Sequence, residues 1–206
     1  MQNITVDLPD TLWLKSYFGG YANPKAKIAR LVRQGLLYRL KKGLYIRAEA
    51  AQNVYVLGKA ANRIYGPSCV SFTYALRWHG LIPEYVAHFT SATRGKGRKK
   101  RYDTPVGSFF YQDVPVDAYP HGIKLVGEDK NRFLMASAEK ALCDELYRIS
   151  GIRSIKRVEN LLFEDLRIDE ALFSQLDHNA LIFFAGKYNT ATSHTFIKFL
   201  RRYYDG

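Results

Sequence analysis

Cysteine is almost missing from this chain. Among 206 residues only Cys69 and Cys143 carry a thiol, far apart and without CxxC spacing, so no disulfide framework can organise the fold. That usage suits a reducing compartment, and a cytoplasmic protein is expected. Long apolar runs are missing too. None approaches the ~20 residues that a spanning helix needs, so no membrane partner is expected. The opening "MQNITVDLPD" lacks a basic region followed by an apolar core, and no secretory leader is expected there.

Enzyme signatures are equally scarce. The chain has no GxxxxGK[ST] phosphate loop, no HExxH and no GxSxG. "RGKGRKK" shares only its composition with a phosphate loop. His79, His88, His121, His178 and His194 are scattered and read as core or surface residues. Asp117 with Glu128 and Lys130 follows the order of a metal-dependent nuclease, in which carboxylates hold the ion and lysine stabilises charge. Yet "GEDKN" reads as a turn, whereas such a site belongs on a rigid strand. No catalytic residue, metal or cofactor is expected.

Acidic residues are in deficit, 19 against 31 Lys and Arg, which leaves a formal net charge of +12. That balance favours a polyanion, nucleic acid ahead of an anionic membrane surface. The excess is uneven. Residues 1–50 carry nine basic and three acidic side chains, residues 51–150 fourteen and nine, and the remainder eight and seven. With 47% hydrophobic and 14% aromatic residues the chain can still bury a core.

The richest basic stretch is "KIARLVRQGLLYRLKKGLYI", which changes hydrophobic rhythm halfway. "DTLWLKSYF" before it predicts a short helix with Leu12, Trp13 and Tyr17 inward, closed by Gly19-Gly20. Asn23-Pro24 predicts a second helix, because Asn caps unpaired N–H groups and Pro suits the first turn. Ile28, Leu31 and Val32 fall on its inner face, and Gly35 ends it. "LLYRL" and "LYIRA" around Lys41-Lys42-Gly43 predict a β-hairpin. Helix, helix and basic hairpin are the order of a winged helix-turn-helix spanning residues 1–50, too small to stand without packing on residues 51–206.

With Ile28 inward, Asn23, Ala26, Lys27, Arg30, Arg33 and Gln34 project outward and Lys25 lies on the flank. Long donors there could read base edges in a major groove. Arg39, Lys41, Lys42 and Arg47 on the hairpin could hold phosphates or reach a minor groove. A second cluster, Arg94, Lys96, Arg98, Lys99, Lys100 and Arg101, reads as a solvated loop or a second contact to a nucleic-acid backbone.

Further along, Ala50 to Tyr65 and "SFTYALRWHG" predict helices, the latter capped by Ser71. "EYVAHFTS" and "VGSFFYQDV" predict strands on either side of the basic loop, and "GIKLVGEDKNRFLMAS" a second hairpin. "SAEKALCDELYRIS" predicts an amphipathic helix with Ala138, Ala141, Leu142 and Leu146 inward. Lys140 and Asp144 on it read as an ordinary surface ion pair. Helices up to "HTFIKFLRRYY" complete an α+β reading: an N-terminal winged helix-turn-helix followed by a larger mixed α/β domain.

Taken together, "KIARLVRQGLLYRLKKGLYI", "YALRWHGLIPEYVAHFTSATRGKGRKK", "TPVGSFFYQDV" and "MASAEKALCDELY" resemble AbiEi-type antitoxins over roughly residues 10–150. These are transcriptional-repressor partners of nucleotidyltransferase toxins in type IV toxin–antitoxin and phage-abortive systems. The resemblance implies a winged helix on an inverted repeat in double-stranded DNA of the protein's own promoter, and an antitoxin scaffold over residues 71–150. Glu139, Lys140 and Asp144 are that scaffold's most recognisable polar positions. A winged-helix regulator without a toxin, an RNA-binding module using Arg94–Arg101, and the nuclease remain as other readings.

Overall fold

The structure, a computed structural model, describes residues 4–205 and is a mixed α+β fold. Helix α1 (Thr11–Tyr17) starts at Asp10, whose carboxylate accepts the Trp13 N–H at 2.8 Å. It turns Leu14 and Phe18 inward, one helical turn apart, and leaves Leu12 79% exposed, contrary to the expected inward face. Trp13 and Tyr17 are half-buried and stack on each other with centroids 4.8 Å apart, which rolls the helix away from Leu12.

Helix α2 (Pro24–Arg33) begins where Asn23 Oδ1 accepts the Ala26 N–H at 3.0 Å. It ends ahead of Gly35, whose φ of 70° only glycine takes up without strain. Ile28 is buried, with Leu31 and Val32 half-buried beside it. Strands β1 (Leu37–Lys41) and β2 (Leu44–Arg47) form the expected hairpin, and Asp7 to Asp10 runs antiparallel along β2.

Two hydrophobic clusters meet at this hairpin. Leu14, Phe18, Ile28 and Leu37 make a small core of their own, each side chain worth about 1.5–3 kcal/mol when buried. Leu40, Leu44 and Ile46, by contrast, join the main core of the molecule. Four buried side chains cannot hold a unit of this size alone, so the main core anchors it.

After a 3-10 turn at Ala48–Ala50 comes α3 (Val54–Ile64), then β3 (Ser68–Val70) and α4 (Phe72–Trp78). Strands β4 (Phe89–Thr93), β5 (Lys100–Thr104), β6 (Gly107–Asp113), β7 (Ile123–Val126) and β8 (Phe133–Ala136) complete a six-stranded sheet in the order β5-β6-β4-β3-β8-β7. Only the second half of "EYVAHFTS" is strand. β5 was not expected: Lys100 and Arg101 belong to it rather than to a loop, paired with Tyr111 and Phe110 of β6.

Helix α5 (Ala138–Tyr147) follows β8, and α6 (Ile155–Asn160), α7 (Glu170–Ser174), α8 (His178–Gly186) and α9 (Ala191–Asp205) close the chain. Helix α3 covers one face of the sheet, where Tyr111 Oη donates to the Ala61 carbonyl at 2.7 Å. Helix α5 lies over the other face, beside Cys69, with α8 and α9 behind it. No helix among the described residues is long and apolar enough to cross a membrane.

Candidate nucleic-acid interface

Helix α2 and the β1–β2 hairpin set the geometry of the first basic cluster. Lys25, Arg30, Arg33 and Gln34 are exposed on α2, and Arg39 and Lys42 on the hairpin. Asn23 is exposed as well, but its carbonyl oxygen is engaged as the helix cap, leaving the amide NH₂ to face outward. Lys27 folds back: its Nζ lies 4.9 Å from the Tyr21 ring centroid and 5.8 Å from that of Phe18.

Two hairpin cations are held internally instead of projecting. Lys41 Nζ donates to the Ile64 carbonyl at the end of α3, at 2.8 Å. Burial there, together with the nearby Arg63 guanidinium, holds its pKa below the ordinary lysine value. Arg47 meets Glu49 at 2.9 Å and Asp7 at 3.6 Å, and donates to the Ile4 carbonyl. Both brace the N-terminal unit, and an outward phosphate contact would break those bonds.

The second cluster is not a single solvated loop. Asp113, at the end of β6, accepts the backbone N–H of Lys96 at 2.6 Å and of Gly97 at 2.7 Å through Oδ2, and the Thr93 hydroxyl at 2.6 Å through Oδ1. That carboxylate fixes the turn from which the cations radiate. Lys96 Nζ stands 5.3 Å from the Tyr65 centroid and Lys100 Nζ 5.8 Å from that of Tyr102, and those two rings are 6.0 Å apart. Tyr65 directly follows Ile64, the residue that Lys41 holds, and β1 lies against β5. A band of lysines and tyrosines therefore links the hairpin to the second cluster.

Strand alternation sends the remaining cations elsewhere. Arg101 lies over Phe110, guanidinium to centroid 5.0 Å, on the sheet face opposite Tyr111. Arg94 sits 5.7 Å from the Tyr119 ring, and Arg98 and Lys99 are exposed.

Helix α5 departs most from expectation. Lys140 and Asp144 are not a surface pair: both side chains are 0% exposed. Lys140 Nζ donates to Asp144 Oδ1 and, at 2.7 Å, to the Tyr188 hydroxyl. Ser71 Oγ donates to Asp144 Oδ2 at 2.5 Å, so Ser71 serves this network and makes no side-chain cap on α4. Ser137 caps α5, its hydroxyl accepting the Lys140 N–H at 3.3 Å. Burial pushes the Cys69 thiol beside this network up to about 12, too high for a reactive thiolate at neutral pH. A partner for Asp144 could have been suspected from α5 itself, where Ala141, Leu142, Cys143 and Leu146 leave little room for a polar face.

The residues of the nuclease reading lie in turns and not on strands. Asp117 is exposed in the turn after β6, Glu128 is exposed ahead of a 3-10 turn, and Lys130 pairs with Asp7 at 3.4 Å. Among the described residues no group of three or more His, Cys, Asp or Glu is placed to hold a metal ion.

Comparison with known proteins finds no family model that matches the chain and no curated protein that matches it.

Proposed function

We propose that this chain is a DNA-binding antitoxin that represses its own promoter and opposes a nucleotidyltransferase toxin. In this reading α1, α2 and the hairpin act as an abbreviated winged helix-turn-helix. The observation that carries it is the outer face of α2, where Arg30, Arg33 and Gln34 stand exposed next to a hairpin bearing Arg39 and Lys42. A helix of 10 residues with long donors on one face is of a size to enter a major groove, and the hairpin cations are suited to flanking phosphates. Lys96 and Lys100 extend the same positive surface past the hairpin, which favours contact with the duplex backbone beyond the site read by α2. The toxin partner rests on the resemblance to AbiEi-type antitoxins.

Footprinting of the full chain on the DNA upstream of its own gene tests the reading. The expected result is a protected inverted repeat that shrinks or disappears for Arg30→Ala. Absence of any protected site at moderate salt overturns the repressor reading. Absence of a nucleotidyltransferase reading frame next to its gene, or failure to rescue growth arrested by the product of such a frame, overturns the antitoxin reading.

A further inference from the structure

A cleft of about 500 Å³ opens on the sheet face away from α3, bordered on one side by Lys99, Lys100 and Arg101 of the second basic cluster. Its floor is the outer part of the sheet, where Thr90 of β4 and Phe110 and Gln112 of β6 point to the same side. One wall is the junction of α4 and α5. There Glu145 accepts the Thr73 backbone N–H and pairs with Arg148 at 3.0 Å, and the Arg148 guanidinium lies 5.2 Å from the Phe72 centroid. The other wall is the start of β5, with Lys99 and Arg101. The volume falls in the range of small-molecule sites, well below what a duplex would need.

The lining has a definite chemistry. Phe110 is half-buried, and its ring has the Arg101 guanidinium 5.0 Å away and the His88 ring 5.5 Å away. An apolar ring flanked by planar, polarisable groups is a stacking surface for a flat heterocycle. Beside it the Gln112 amide can both donate and accept a hydrogen bond. Lys99, Arg101 and Arg148 surround the opening, against one lining carboxylate, Glu145, which Arg148 already answers. Asp103 holds Arg101 Nε at 2.8 Å and is itself held by Ser108 at 2.5 Å, which orients the guanidinium with its terminal nitrogens left to face a ligand.

Pre-organisation shows at both walls. The Lys96–Gly97 turn that leads to Lys99 is fixed by Asp113. Phe72 opens α4 at φ 57°, a left-handed conformation that a bulky side chain adopts only at a cost. Such conformations gather at ligand sites more than elsewhere.

We propose that this cleft binds a nucleotide, its base stacked on Phe110 beside Gln112 and its phosphates held by Lys99, Arg101 and Arg148. None of the α2 or hairpin residues lines the cleft, so the proposal stands or falls independently of base reading by α2.

Titration calorimetry on the full chain tests it, with ATP, GTP and inorganic tripolyphosphate as probes. The expected result is saturable binding of a nucleoside triphosphate that is at least about tenfold tighter than tripolyphosphate, because only the nucleotide brings a base to Phe110. Lys99→Ala with Arg101→Ala should weaken that binding by about tenfold or more, whereas Arg30→Ala on α2 should leave it unchanged. Both sets alter exposed side chains, and an unchanged thermal midpoint separates lost binding from lost folding. A 5′-phosphorylated single-stranded tetranucleotide separates the two sources of the same chemistry. Tighter binding than the mononucleotide, through the same residues, assigns the cleft to a nucleic-acid end, and equal or weaker binding assigns it to a free nucleotide. No saturable binding of any nucleotide, tripolyphosphate binding as tightly as ATP, or affinity indifferent to Lys99 and Arg101 overturns the proposal.

Discussion

The phenol of Tyr188, just beyond α8, donates to Asp144 Oδ1 at 2.5 Å inside the core, while accepting the Lys140 ammonium at 2.7 Å. With Ser71 on the other carboxylate oxygen, Asp144 accepts from three side chains, and the network around this charged pair ties α5 to both the sheet end and the C-terminal helices. Removing one member should therefore be far worse than removing both. Lys140→Met is expected to cost about 3–5 kcal/mol in urea unfolding, since it leaves a buried carboxylate unanswered. Adding Asp144→Leu should restore part of that loss but not all, because the Ser71 and Tyr188 hydroxyls then lose their acceptor. A Lys140→Met loss under about 1 kcal/mol would contradict the buried network.

Lys41 and Lys42 are neighbours with different duties, and salt can tell them apart. Lys42 projects into solvent, so on the proposed DNA reading Lys42→Ala should weaken binding to all DNA sequences alike and lower the logarithmic salt slope by about 0.9. Lys41→Ala should leave the slope intact and instead cost stability, about 1 kcal/mol for the lost hydrogen bond to Ile64. Equal slopes for wild type and Lys42→Ala would remove Lys42 from the interface.

Glu145 offers a test by pH. Burial raises its pKa above the ordinary glutamate value, more than Arg148 and the Thr73 N–H lower it. The folded chain then holds this proton at pH values where the unfolded chain has lost it. Its contribution to stability is full below the ordinary glutamate pKa, declines as pH rises through the raised folded pKa, and is level above that. Glu145→Gln cannot titrate, so its stability relative to wild type should improve as pH rises across that window. A gap that moves the opposite way would show that the Arg148 ion pair outweighs burial.

Asp113 should govern the order of the turn that carries the second cluster. Asp113→Ala removes the acceptor for two backbone N–H groups, and hydrogen exchange at Lys96 and Gly97 should speed up while β4 stays protected. Unchanged exchange at those two amides would mean that the turn is held by something else.

Local chemistry made much of the fold legible in advance. Asn23-Pro24 and Gly35 bracket α2 because a cap, a fixed φ and a left-handed stop act within a few residues of themselves. The hairpin at Gly43 and the one between β7 and β8 follow from turn residues in the same way. What stayed hidden depends on partners far along the chain. Lys140 and Asp144 at i and i+4 look like an exposed pair until Ser71 and Tyr188 arrive from 73 and 44 residues away. β5 was obscured by its charges, since a basic edge strand has the composition of a loop. Of the DNA-contact candidates, Arg30, Arg33 and Gln34 are exposed on the side of α2 that helix periodicity turns outward, and Arg39 and Lys42 are exposed on the hairpin, but Lys41 and Arg47 turn inward to acceptors that no spacing rule announces. The cleft residues Phe110, Gln112 and Arg148 form no motif at all and meet only through the β4–β6 pairing and the end of α5.

The hairpin that faces two cores has an evolutionary consequence. Its outer side closes over Leu14, Phe18 and Ile28, while Leu40, Leu44 and Ile46 are set into the body of the molecule. A head joined in this way cannot be traded between genes as a cassette, because a crossover near residue 50 would part those three side chains from the neighbours that evolved against them. The outer face of α2 is free of that constraint: Arg30, Arg33 and Gln34 are exposed and can change one at a time without disturbing either core, so on the proposed DNA reading a new base preference would arise there.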